Sequence, residues 1–279
     1  MAYKSLLTIM TETQSARNVL ARMVALADRL DAHAEVLCLG VDRSQTGYYY
    51  AGTNALILQE TLNRAHADAD ALLAFAQKVL GRSDVRWSAD SGVVQLADIG
   101  RHVAHRARFC DLVVLPHPYG DNRGAEAVPI IEAAMFEGHA PVLVVPNDGP
   151  HVSDPRRILI GWNESVEAMR AVRRALPFLR QADLARIVVI DPPRHGPDRS
   201  DPGGMLSQML ARHGVKCEID VLGQTMTRVS DILNRHAADT DADMIVMGAY
   251  GHSRFREAIL GGATRNMLER AQVPVFLAH

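Results

Sequence analysis

The sequence lacks the features that mark several common classes of protein. Its 279 residues include three cysteines, Cys38, Cys110 and Cys217. They are far apart, odd in number and form no CxxC pair, which excludes a disulfide framework and a zinc ribbon and suits a reducing cytosol. Net charge is nearly absent: 30 Lys and Arg against 32 Asp and Glu leave −2, whereas a dedicated nucleic-acid binder is usually basic. Lysine is confined to Lys4, Lys78 and Lys216, so the cations are almost all arginine. No apolar run reaches the ~18 residues of a membrane span. Met1-Ala2-Tyr3-Lys4 leads into a short apolar stretch with no small-residue cleavage site, so no signal peptide is expected and the expected location is cytoplasmic. What remains is an ordinary globular composition, 48% hydrophobic and 22% charged, long enough for two domains at about 150 residues each.

The chain repeats itself. Asp111-Leu-Val-Val-Leu115 resembles Asp243-Met-Ile-Val-Met247 at an offset of 132, and Ala140-Pro-Val-Leu-Val-Val145 resembles Val273-Pro-Val-Phe-Leu-Ala278 at 133. Ser5-Leu-Leu-Thr-Ile-Met10 resembles Ile158-Leu-Ile-Gly-Trp-Asn163 at 153, so the first half carries about twenty extra residues ahead of Asp111. A stretch rich in Pro, Gly and Asp, residues 147–155, reads as the linker. The expected domains are therefore 1–150 and 151–279.

Within each half, short apolar runs alternate with helical spacing. The second half predicts strands at 158–162, 187–190, 217–221, 244–247 and 273–278, with helices at 164–179, 205–213, 229–238 and 263–271. The first half predicts strands at 5–10, 34–41, 85–89, 112–115 and 142–145, with helices at 15–30, 56–80, 94–108 and 128–136. Such alternation implies βαβ units and a parallel sheet.

The stretch with most chemical content is Gly248-Ala-Tyr-Gly251, followed after nine residues by Gly261-Gly262 and a helix. Glycine at the carboxyl end of a strand lets backbone approach a ligand closely. Free N–H groups at a helix start favour an anion. The spacing fits a sugar at the first pair and phosphate at the second, and it also fits a loop that glycines merely shape. It is neither a Walker A loop nor GxGxxG, and no GxSxG elbow is present.

Two halves of five βα units, this glycine pattern and Trp162-Asn163-Glu164-Ser165-Val166-Glu167-Ala168 together resemble the universal stress protein family in its tandem form. The resemblance implies two Rossmann-like, adenine nucleotide alpha hydrolase-like α/β domains. Each would be a five-stranded parallel sheet of order 3-2-1-4-5 with helices on both faces. Strands 1 and 4 are then neighbours at the topological switch point, where ligands bind. The resemblance further implies ATP, ADP or AMP, with or without Mg, held by Gly161, Trp162, Asn163, Val189, Met247, Gly248, Gly251, Arg254, Gly261, Gly262, Ala263 and Thr264. Adenine would lie near Val189, with Asn163 facing the nucleoside, Gly248 and Gly251 by the ribose, and Gly261 to Thr264 at the phosphates. The fifth strands would meet, 142–145 beside 275–278, as an intramolecular pseudo-dimer able to pair again as a homodimer.

Two residues depart from the family pattern. Asn163 stands where an acidic residue is usual, and Gly262 where Ser or Thr would offer a hydroxyl that Thr264 or Arg254 could replace. One hydrogen bond to a charged group is worth roughly 1.5–3 kcal/mol, or about ten- to a hundredfold in affinity. The first half reads as degenerate: Met10, Pro116, Tyr119 and either Val128 or Pro129 replace Asn163, Gly248, Gly251 and Gly261. No catalytic residue or metal ligand is expected. His102 and His105 read as a solvated helix face. No general base is evident, so the chain is expected to be a nucleotide sensor in the stress response, at best a slow ATPase. An interaction scaffold without nucleotide, serving an unknown protein partner, is the alternative. Neither nucleic acid nor membrane is expected as a partner. Tyr48, Tyr49 and Tyr50 in the inserted region would cap the first pocket, meet a partner or form a surface loop.

Overall fold

Strands and helices alternate along the chain as the apolar patterning requires. The computed structural model describes residues 2–43, 54–120, 123–146, 154–192, 201–249 and 262–279. The inserted tyrosines, most of the linker and residues 250–261 lie outside this set. Contacts divide the chain into two compact units, Tyr3–Pro116 with Asn122–Ala140, and Pro141–His279 with His117–Asp121.

The first unit runs β1 (Ser5–Met10), α1 (Thr13–Leu30), β2 (His33–Asp42), α2 (Asn54–Leu80), β3 (Arg86–Gln95), α3 (Ile99–Ala107), β4 (Leu112–Pro116) and α4 (Ala127–Glu132), which continues into a π-helical turn, Ala133–Glu137. Its strands are ordered β3-β2-β1-β4 and the pairs are parallel. Helix α1 packs with α2, and α3 with α4.

The second unit runs β5 (Val142–Val145), β6 (Arg157–Trp162), α5 (Val166–Leu179), β7 (Leu184–Ile190), α6 (Gly204–Arg212), β8 (Cys217–Leu222), α7 (Val229–Asp239), β9 (Met244–Gly248), α8 (Ala263–Arg270) and β10 (Val275–Ala278). Its order is β5-β10-β9-β6-β7-β8. The strands β8-β7-β6-β9-β10 are mutually parallel and reproduce the expected 3-2-1-4-5. β5 joins them antiparallel, with Val144 opposite Val275 and Val142 opposite Leu277, so the two fifth strands meet as expected. Phe178 of α5 meets Phe276 of β10 edge to face, centroids 6.1 Å apart.

The repeated aspartate does the same work in both halves. Asp111 accepts hydrogen bonds from the backbone N–H groups of Lys4 (2.7 Å) and Ser5 (3.0 Å). Asp243 accepts from those of Arg156 (2.8 Å) and Arg157 (3.1 Å). Each carboxylate, just ahead of the fourth strand of its half, thereby anchors the start of the first strand beside it.

One expectation fails in detail. The third strand was expected to stop at residue 89 and a helix to begin at 94. β3 instead continues to Gln95 because β2 is ten residues long and β3 answers every rung, from His33 opposite Arg86 to Asp42 opposite Gln95. The helix accordingly begins only at Ile99.

Candidate functional site

The switch point of the second unit is built where β7, β6 and β9 end side by side. Gly161 of β6 lies opposite Met247 of β9 and beside Val188 of β7, and Trp162 lies beside Val189. Trp162, Val189 and Met247 are buried, each less than a tenth exposed. Between β6 and β9 the backbone is tight. A Cβ on Gly161 would sit 3.3 Å from Leu233, and one on Gly248 would sit 2.4 Å from the backbone nitrogen of Ala168 in α5. Gly248 thus has a reason in packing, apart from any ligand: its bare Cα lets the first turn of α5 lie across the end of β9.

The turn from β6 into α5 is fixed by two short polar side chains. The Asn163 side-chain oxygen accepts the Ser165 N–H (3.2 Å), and Ser165 Oγ accepts the Ala168 N–H (3.1 Å) as an N-cap. Glu164 between them takes a left-handed backbone, φ +61°. Asn163 is exposed, and its carbonyl oxygen serves this local turn, which leaves its amide NH2 unused by the turn.

Helix α8 opens at Gly262, which is extended and offers no side-chain cap. The N–H groups of Ala263 and Thr264 belong to its first turn, where no intrahelical acceptor exists. Thr264 is buried, 2% exposed. Gly251, Arg254 and Gly261 lie outside the described residues. The structure therefore brings together Gly161, Trp162, Asn163, Val189, Met247 and Gly248, and sets Gly262, Ala263 and Thr264 at the start of α8.

The profile of the Universal stress protein family matches residues 155–279. That match spans the second half of the chain and places a universal stress protein domain there. It is similar to Universal stress protein Slr1230 of Synechocystis sp., 25% identical over 137 residues. That alignment covers 49% of this chain and 46% of the relative, so the chain spans about half the length of the curated relative it matches. A universal stress protein of known structure from Archaeoglobus fulgidus shares the fold with a TM-score of 0.74 at 13% identity, over 98% of this chain and 95% of that one. A protein from Pseudomonas aeruginosa described as a putative universal stress protein gives 0.61 at 15% identity, over 99% and 93%.

In this chain the corresponding place in the first unit is small among the described residues. A cavity of about 30 Å³ remains, lined by Met10, Glu12, Leu115, Pro116, Arg123 and Ala127 among others. That is room for about two water molecules, at roughly 10–15 Å³ each on this measure. Met10 and Pro116, which replace Asn163 and Gly248, are part of its wall, and Arg123 closes onto Glu12 with an ion pair of 2.5 Å. Beside it Glu126, 1% exposed, accepts a hydrogen bond from the Arg43 guanidinium at 2.6 Å through one carboxylate oxygen. Tyr119, which replaces Gly251, instead lies under Arg265 of α8, 5.7 Å from the ring centroid.

Two contributors stand outside the residues expected at the site. Ser165 caps α5 with its hydroxyl, and its backbone N–H holds the Asn163 oxygen. Its position just ahead of an apolar-periodic run is the usual signature of a helix start. The partner of Gly248, the Ala168 amide, had no signal at all, since it is a contact between elements far apart in the chain.

Proposed function

We propose that this chain is a tandem universal stress protein, residues 1–150 forming a degenerate domain and 151–279 one that binds ATP, ADP or AMP, with or without Mg, as a cytoplasmic stress-response nucleotide sensor. The observation that carries this reading is the junction of β6 and β9. Two neighbouring parallel strands end there at the switch point, glycine-lined and with exposed Asn163 beside them, the position at which open α/β sheets take ligands. The glycine loop follows β9 directly, and its last glycine opens α8 toward an anion. Gly251, Arg254 and Gly261 complete the proposed set. No side chain is assigned as a general base, and the proposal is for binding with a change of conformation, not for turnover. The small site of the first unit supports one nucleotide per chain.

The test is calorimetric titration with Mg-ATP, with the fluorescence of Trp162 read alongside and Trp87 as the contrast. Binding of one nucleotide per chain, lost in Gly251→Tyr, is the expected result. No heat at millimolar Mg-ATP would favour the second reading, a scaffold for a protein partner. That reading draws support from Gly262, which offers no hydroxyl, and from Asn163, whose carbonyl is engaged by Ser165.

A further inference from the structure

Helices α1 and α2 pack against each other in the first unit, but their counterparts α5 and α6 stand apart. Between them lies a groove of about 650 Å³, within the range of roughly 300–1,000 Å³ typical of small-molecule sites. Its floor is apolar: Trp162 at one end, then Met169 from α5 and Leu206 and Met209 from α6. Thioether side chains adapt to apolar bodies of varied shape. Its lips carry Met205, 80% exposed, and Val166, 61% exposed.

The charges of the groove are sorted along its length. Both helices follow strands of one parallel sheet, so they run in the same direction. The carboxylates Glu164 and Asp201 lie at the end where the helices begin, and Arg170, Arg173 and Arg212 lie further along, two on α5 and one at the end of α6. Among the described residues these three arginines have no acceptor. Several other arginines of this unit are paired with carboxylates: Arg156 with Asp154, Arg157 with Asp241, Arg186 with Glu218, Arg265 with Glu269 and Arg270 with Asp231. Three unpaired guanidinium groups on facing walls over an apolar floor are complementary to a ligand with an apolar body and one anionic head.

We propose that the groove between α5 and α6 is a second binding site, for an elongated amphipathic anion such as an alkyl carboxylate. Its head lies on Arg170, Arg173 and Arg212 and its chain runs over the methionines toward Trp162. The acidic end disfavours the reverse orientation. This site is separate from the proposed nucleotide site in the groups it uses, although Trp162 borders both.

The probe is dodecanoate below its critical micelle concentration, added to the full chain while Trp162 fluorescence and native mass are recorded. One molecule should bind saturably, and Arg170→Glu/Arg173→Glu should weaken it about tenfold or more with an unchanged circular dichroism spectrum. Dodecyltrimethylammonium should not bind at the site. Binding should persist in Gly251→Tyr, which separates this result from the nucleotide test. The proposal is overturned by a linear, unsaturable response, by equal binding of the cationic amphiphile, or by full affinity in the doubly substituted chain.

Discussion

Gly248 lies against the amide of Ala168 so closely that a methyl group in place of its hydrogen would sit 2.4 Å from that nitrogen and 2.6 Å from the Glu167 carbonyl carbon. Both are backbone atoms at the start of α5, so neither can swing aside. Gly248→Ala should therefore cost about 1–3 kcal/mol through overpacking, read as a lower melting temperature without nucleotide present. An unchanged melting temperature would mean that α5 can yield. Loss of nucleotide binding in this variant would report a displaced helix as much as a blocked sugar.

Ser165→Ala removes the hydroxyl that caps α5 and should cost about 1 kcal/mol. Ser165→Asp keeps an acceptor at the same place, adds a charge favoured at a helix start and should recover most of that loss. Urea unfolding of the three proteins orders them. Equal stability of the parent and the alanine variant would show that the 3.1 Å bond to the Ala168 N–H contributes nothing net.

Glu126 is a buried carboxylate whose second oxygen has no hydrogen-bond partner among the described residues. Its charge is answered by Arg43, itself half exposed. Arg43→Ala should cost about 1–3 kcal/mol, the desolvation cost of a buried polar group left without its partner. Adding Glu126→Gln to that variant removes the stranded charge and should restore much of the stability. A double variant no more stable than Arg43→Ala would show that the charge of Glu126 is not what the arginine serves.

Burial pushes the Cys38 thiol up to about 11, aided by Asp90, and the Cys110 thiol up to about 12, aided by Glu35 and Asp111. In the unfolded chain both would ionise near the ordinary value of 9.0. Between that value and 11 the native state holds protons that the unfolded state releases, so their contribution falls as pH rises. The loss of stability from pH 8 to pH 10, measured by urea unfolding, should be smaller in Cys38→Ala/Cys110→Ala than in the parent. An identical loss in both proteins would contradict the assignment.

The fold was legible because its signals are local and duplicated. Apolar runs of four to six residues punctuated by Gly, Pro and Asp located the strands, and the offset between Asp111 and Asp243 marked equivalent places whose carboxylates prove to anchor equivalent strands. The length of β3 was not legible, because it is set by the rungs of β2 and not by residues 90–95 themselves. At the site, the strand ends could be placed from sequence, but the uses of individual groups could not. Asn163 turns its oxygen to Ser165, Thr264 is buried, and Gly248 answers to α5. Each of these depends on a neighbour that sequence order does not name. The α5–α6 groove was invisible for the same reason, since it arises from two helices failing to meet.

The antiparallel seam of β5 and β10 gives the chain two boundaries that do not coincide. The repeat and the matched profile end near the linker, yet β5, four residues long and encoded in the first half, is laddered into the second unit. Scissors applied at residue 151 would produce two fragments, each with a naked strand edge, Val142–Val145 on one and Val275–Ala278 on the other. Such edges are templates for association, so the separated pieces would seek each other, or copies of themselves, through the strands that the intact chain keeps zipped.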